Sequence, residues 1–217
     1  MKGDVLVIEA HHRRAAAQIA ADLVDAIHAK GGRFLVTVAG ESGSGKSETA
    51  AALADQLLQL GVASVVLGQD DYFVLPPKSN DERRRADPEW LGPHAEVRFD
   101  LLQANVDAAR AGASEIEKPV IDYDRNSAAM EVVSLEGVAV VIVEGTYVSL
   151  LRHVDRRIFI ARNRLETLEH RQRRNRGSEA ADQFIEGVLE VEHKIIAGHR
   201  ALADFVLTRD FDVIRAA

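Results

Sequence analysis

One stretch constrains this chain more than any other: Gly40-Glu41-Ser42-Gly43-Ser44-Gly45-Lys46-Ser47. It follows the apolar run Phe34–Ala39 and precedes the helix-forming sequence ETAAALADQLLQL, so it fits G-x-x-x-x-G-K-[ST] in the strand–loop–helix setting that gives the pattern meaning. Gly40, Gly43 and Gly45 let backbone N–H groups turn inward around phosphate oxygens. The helix that follows adds its free amides and the positive end of its dipole. Ser42, Ser44 and Glu48 share this cradle, Lys46 supplies a mobile charge for the β- and γ-phosphates, and Ser47 is placed to ligate Mg²⁺. The alternative, a Gly/Ser turn that happens to precede a helix, leaves the lysine and serine without a task. The segment predicts a nucleoside triphosphate site. Glu41 is expected to point its side chain outward.

The rest of the chain repeats the same alternation. Apolar runs at Val5–Ile8, Phe34–Ala39, Ser64–Leu67, Val138–Val143, Arg157–Ile160 and Phe205–Leu207 read as strands, several of them continuous as in a sheet covered on both faces. Between them, His11–Ala29, Lys46–Leu60, Phe99–Ala111, Arg164–Arg174 and Glu179–Ala201 read as helices, with Gly31, Gly61, Gly112 and Gly177 as stops. This is the pattern of an α/β three-layer sandwich on a mostly parallel sheet. The length fits a single domain over residues 1–217, with residues 1–33 as an N-terminal extension of no evident chemistry. His11-His12 there resembles neither a metal site nor a catalytic pair. Leu75–Pro93 holds four of the five prolines and no sustained apolar period, so it reads as a loop on the ligand edge of the sheet.

Composition closes off other classes. With no cysteine there are neither disulfides nor thiolate metal sites, and 27 Lys+Arg against 34 Asp+Glu argues against a generic nucleic-acid surface. No apolar run approaches the ~20 residues of a membrane span, and the charged N-terminus lacks a secretory core, so a cytoplasmic, membrane-free protein is expected. A homo-oligomer is compatible with the sequence without being specified by it.

Two acidic positions point to the chemistry. Gln69-Asp70-Asp71-Tyr72-Phe73 follows the Ser64–Leu67 strand, which is expected beside the phosphate-loop strand, and a carboxylate there could take the proton of an attacking hydroxyl. Read alone, the stretch is equally a strand-end turn with solvated acids. Val140-Val141-Ile142-Val143-Glu144-Gly145 ends a buried strand in an acid, and makes Glu144 the candidate for the Mg²⁺ shell. No N-K-x-D guanine-reading element is present. From Arg162 to Arg176, six arginines and two glutamates form a basic segment in an acidic protein, read as a lid over residues 162–178 rather than a solvated helix face. In the helix Glu179–Ala201 the apolar stripe reads as packing, and Glu192, His193 and His199 as interruptions of it, with a substrate contact from Glu192 or His193 the sharper alternative.

Taken in order, GESGSGKS, QDDYF, RFDLLQANVDAARAG with KPVIDYD, VVIVEGTYVSLL, RLETLEHRQRRNRG and ADFVL resemble the uridine kinase and phosphoribulokinase family of P-loop small-molecule kinases. The resemblance implies ATP- and Mg²⁺-dependent phosphorylation of a primary hydroxyl on a small acceptor, commonly a ribose or another metabolite. It implies Asp70 as general base, Lys46 with Arg171 and Arg174 of the lid on the transferring phosphoryl group, Glu144 and Ser47 at the metal, and Tyr72, His94, Tyr123 and Arg164 beside the acceptor. Pro119-Val120-Ile121-Asp122 competes with Tyr123-Asp124 for the family's acceptor turn. The chain departs from the uridine kinase pattern before Phe99-Asp100, where His94 or Glu96 stands nearest to the expected acid, and after Asp124, where a histidine is missing. Arg83–Arg85, His94 and Arg98 would suit an acidic or phosphorylated acceptor. The same fold acting on a sugar, vitamin precursor or sugar phosphate, and a nucleotide-gated binding module working through the arginine segment, are the competing readings.

Overall fold

A computed structural model describes residues 6–163, 166 and 183–216. Six strands make the main sheet: β1 (Phe34–Gly40), β2 (Ser64–Gly68), β5 (Val140–Gly145), β6 (Arg156–Ile160), β7 (Phe205–Leu207) and β8 (Val213–Arg215). They lie in the order β2-β5-β1-β6-β7-β8, parallel except for β8 at the edge. The strand β5 therefore inserts between β1 and β2, so the expectation that β2 lies directly beside β1 is wrong. The crossover carries the chain one strand further.

Successive side chains of β1 face opposite layers, as the two-residue period of a strand requires. Val36 and Val38 pack with α1 (Ala10–Ala29) and α2 (Lys46–Gln59), through Ile19, Leu23, Leu53 and Leu57. Leu35 and Ala39 face the second core, filled by Leu102 and Val106 of α4 (Phe99–Arg110), with Tyr72 and Tyr147. Both faces of the sheet are thus covered by mostly apolar side chains, which is why β1 and β5 read as continuous apolar runs.

The N-terminal segment is more than an extension. Helix α1 buries Ala15, Ala16, Ile19, Ala20 and Leu23 in the first core, and His12 is wholly buried beneath the phosphate loop. Residues 6–8 of the expected first strand carry no strand; no neighbouring strand is there to pair them, and Leu6 and Val7 are exposed.

Leu75–Pro93 is also not a plain loop. It contains α3 (Pro77–Ala86) and a 3₁₀ turn at Pro88–Trp90. Pro77 stands at the first helical position, where its missing N–H costs nothing, and Asp81–Arg85 brace the exposed side at i,i+4 spacing. Buried Glu96 holds the segment down, accepting from Asn80 Nδ2 at 3.0 Å, Arg84 Nε at 2.6 Å and Gly92 N at 3.1 Å, while Trp90 Nε1 donates to Asn80 Oδ1 at 2.8 Å. A separate antiparallel hairpin pairs β3 (Glu115–Asp122) with β4 (Ser127–Ser134). The last helix, α5 (Gln183–Ile196), supplies Ile196 to the second core. The lid assigned to residues 162–178 and the helix Arg164–Arg174 lie outside the described residues, apart from Arg162, Asn163 and Glu166.

Candidate active site

The parallel sheet brings three strand ends together. Register pairs Val38 of β1 with Glu144 of β5, and Gly68 of β2 with the same Glu144. The phosphate loop leaves β1, Glu144 ends β5 and Asp70 follows β2. These are the carboxyl ends of adjacent parallel strands, where ligands of open α/β sheets bind.

Glycine makes the Glu144-Gly145 junction possible. A Cβ on Gly145 would stand 2.3 Å from Cβ of Gln69, so no other residue fits this approach. Gln69 then accepts the Tyr147 N–H through Oε1 at 2.8 Å, which ties the end of β2 to the end of β5 and keeps Asp70 near Glu144. Behind them Asp71 is anchored to the hairpin, taking Lys118 Nζ at 2.7 Å and Ile121 N at 3.1 Å, with the pair almost fully buried.

A cavity of about 300 Å³ opens over these groups. Ser42, Gly43, Lys46, Ser47, Asp70 and Glu144 line its base. Tyr123 and Thr146 line it as well, and α3 and α5 face it with Asn80, Asp81, Arg84 and Glu192. Lys46 Nζ donates to the Glu41 carbonyl at 3.0 Å. Burial, and then the charge of Asp70, push the Glu144 carboxyl up to about 7, with Lys46 and the Ser47 hydroxyl pulling against them. Burial likewise raises Glu192 to about 7, against the pull of Arg84.

The other expected site residues fall in several places. Gly40, Ser44, Gly45 and Glu48 support the loop from behind and do not line the cavity; the Glu48 side chain is buried, so its contribution to an anion is the amide of the first helical turn. Gly45 has φ +97, and a Cβ there would meet His12 Nε2 at 2.8 Å. His11, His12 and Glu9 bring one ligand-type atom each within 4.8 Å of the others, although His11 is pushed down by burial and by the nearby Arg162 and Arg14.

Tyr72 is not an acceptor contact. It is fully buried in the second core, and its hydroxyl accepts from Asn105 Nδ2 at 2.9 Å. His94 is exposed, packs edge-on to Phe99 at 6.0 Å and stands outside the cavity, as does Arg98. Glu41 does not point outward: its side chain is 9% exposed and meets His193 Nδ1 at 2.6 Å. Arg164, Arg171 and Arg174 lie outside the described residues. Glu192, read mainly as an interruption of an apolar stripe with a substrate contact as the alternative, and Arg84 of the triplet Arg83–Arg85 both line the cavity, whereas Asn80 and Asp81 have no signal in the pattern.

A phosphate loop, a carboxylate at each of two neighbouring strand ends and one cavity over both define a P-loop phosphotransferase. The sequence profile of the Phosphoribulokinase / Uridine kinase family matches residues 35–197, and the chain belongs to that family. It is 31% identical over 192 residues to the bifunctional alpha-galactosidase/sucrose kinase of Mediterraneibacter gnavus, a match covering 83% of this chain and 20% of that protein, so the chain spans about a fifth of the relative's length. A possible uridine kinase from Bacillus stearothermophilus shares the fold with a TM-score of 0.66 at 16% identity, over 92% of this chain and 98% of that one. D-glycerate 3-kinase from Cryptococcus neoformans var. grubii does so at 0.63 and 14%, over 95% and 98%. Among the described residues, no helix is long and apolar enough to cross a membrane.

Proposed function

We propose that this kinase uses ATP and Mg²⁺ to phosphorylate a primary hydroxyl of a small metabolite. The observation that carries the reading is the meeting of Asp70 with Lys46, Ser47 and Glu144 in one cavity. The loop amides and Lys46 suit a triphosphate. Ser47 and Glu144 suit Mg²⁺, because both offer oxygen to a hard cation and because a carboxyl raised by burial beside Asp70 gains from a positive neighbour. Bound there, Mg²⁺ would neutralise charge on the phosphates. Asp70, free of the Lys118 pair that occupies its neighbour, orients the acceptor hydroxyl and takes its proton.

The names of the relatives span sucrose, uridine and D-glycerate, so the acceptor class has to come from the cavity itself. The test is ADP release across a panel of hydroxyl acceptors, repeated with Asp70→Asn. An acceptor should stimulate release, and Asp70→Asn should lower kcat by about 10²–10⁴ with nucleotide affinity kept. An unchanged kcat removes Asp70 as the base, and no stimulation by any acceptor removes the kinase reading.

A further inference from the structure

The arginine triplet of α3 reads in sequence as an anion receptor, and in the structure each member pairs with a carboxylate, Arg84 in a buried pair and Arg83 and Arg85 in exposed i,i+4 pairs. Arg83 pairs with Asp87 at 3.0 Å, Arg84 with Glu96 at 2.6 Å and Arg85 with Asp81 at 3.0 Å. His94 and Arg98, expected beside an acidic or phosphorylated acceptor, do not line the cavity. Among the described residues, Lys78, which is exposed, lines this wall together with Arg84 and Arg85.

Beside these cations the cavity is lined by carboxylates. Glu192, buried on α5, directs Oε1 toward Arg84 at 3.8 Å, and its Oε2 is shielded from solvent without a hydrogen-bond partner among the described residues. Asp81, whose side chain is 37% exposed, spends Oδ2 on Arg85, while its Oδ1 atom is shielded and has no hydrogen-bond partner among the described residues. Both residues line the cavity that holds Asp70 and Lys46. A buried acceptor oxygen with no donor is costly, and a ligand that brings the donor recovers that cost.

Resting on the kinase reading above, we propose that Asp81 and Glu192 select the acceptor. Their free oxygens accept from hydroxyls of a neutral polyol, and the same two carboxylates repel an acceptor that carries a carboxylate or a phosphate. The arginines serve as supports that fix these carboxylates, so the wall reads hydroxyl hydrogens rather than charge. A free sugar and the ribose of a nucleoside share this chemistry. Sites built around such bonds discriminate strongly, because an acceptor lacking the hydroxyl leaves the oxygen unpaired.

Three acceptor groups distinguish the outcomes: free sugars, nucleosides, and the anions D-glycerate and a pentose phosphate. With ATP and Mg²⁺, a member of either neutral group should exceed both anions in kcat/KM by about 100-fold or more. Against that acceptor, Glu192→Gln and Asp81→Asn, which keep size and remove the charge, should each raise KM by about 10-fold or more, with kcat within about threefold and nucleotide Kd unchanged. A role limited to supporting the arginines would lower Tm without producing this split. Preference for an anion, or an acceptor KM that neither substitution moves, overturns the assignment while leaving the kinase reading intact, provided Asp70→Asn still lowers kcat by about 10²–10⁴. If no acceptor in any group stimulates ADP release, the kinase reading itself falls and the acceptor assignment with it.

Discussion

His193 of α5 meets Glu41, inside the phosphate loop, through Nδ1···Oε1 at 2.6 Å. The next residue back on the same helix is Glu192, which faces Arg84. Consecutive helical positions lie about 100° apart, so one turn of α5 touches the phosphate loop with one residue and Arg84 of α3 with the other. The contact also explains how an acid is tolerated beside a triphosphate site. Its carboxylate does not line the cavity and is held by imidazole, while its backbone carbonyl takes the Lys46 ammonium.

Removing His193 should therefore strand a nearly buried carboxylate next to the loop. His193→Ala is expected to weaken ATP binding by about 5–100-fold, the cost of an unpartnered buried acceptor. Glu41→Gln should cost less, and the double substitution should recover part of the loss, with a coupling of about 0.5–3 kcal/mol. Calorimetric titration of all four proteins with a non-hydrolysable ATP analogue measures it, and strict additivity would show that the pair does not work as a unit.

The two raised glutamates give a signed pH dependence. In the unfolded chain both ionise near 4.5, and in the native protein near 7. Between those values the native state holds more protons, so stability is full below about 4.5, falls as pH rises, and has lost this contribution above about 7. The Tm of the nucleotide-free protein should drop across that window, and the drop should be shallower in Glu192→Gln, which has no proton to release there. Mg²⁺ affinity should move oppositely, rising with pH through about 7 as Glu144 ionises. Matching Tm–pH curves for the native protein and Glu192→Gln would remove Glu192 as a contributor.

Lys118 and Asp71 offer a stability test outside the reaction. Each is about 5% exposed, and their 2.7 Å contact anchors the turn that carries Asp70 to β3. Lys118→Met leaves Asp71 charged in an apolar setting and should cost about 3–5 kcal/mol in urea unfolding. A loss under about 1 kcal/mol, as expected of an exposed pair, would mean that water reaches the site.

These residues also show what the sequence could carry. The strands β1 and β5 and helix α2 were legible because both faces of the sheet are covered, which leaves an unbroken apolar run on each side of a diagnostic loop. The order of the strands was not, since nothing in β5 announces that it will slip between β1 and β2. Helix α3 lacks an apolar period because polar contacts hold it, with Glu96 and Asn80 doing what a hydrophobic stripe does elsewhere. The hairpin β3–β4 was missed because β4 is mostly exposed and shows little alternation. Glu192 looked like a flaw in a packing stripe because a cavity and a core present the same helical face to the sequence reader.

The turn Gln69–Tyr72 supplies the sharpest case and the last prediction. A 3₁₀ helix advances about 120° per residue, so three consecutive side chains leave in three directions. Asp70 enters the cavity, Asp71 reaches Lys118, and Tyr72 enters the second core to meet Asn105. The family resemblance implied Tyr72 as an acceptor contact; the turn sends its side chain into the core and away from the cavity. Tyr72→Phe should then cost about 0.5–1.5 kcal/mol of stability, the worth of one buried hydrogen bond, and leave the acceptor KM unchanged. Denaturant unfolding and acceptor kinetics on the same protein decide it. A raised acceptor KM at unchanged stability would return the hydroxyl to the site.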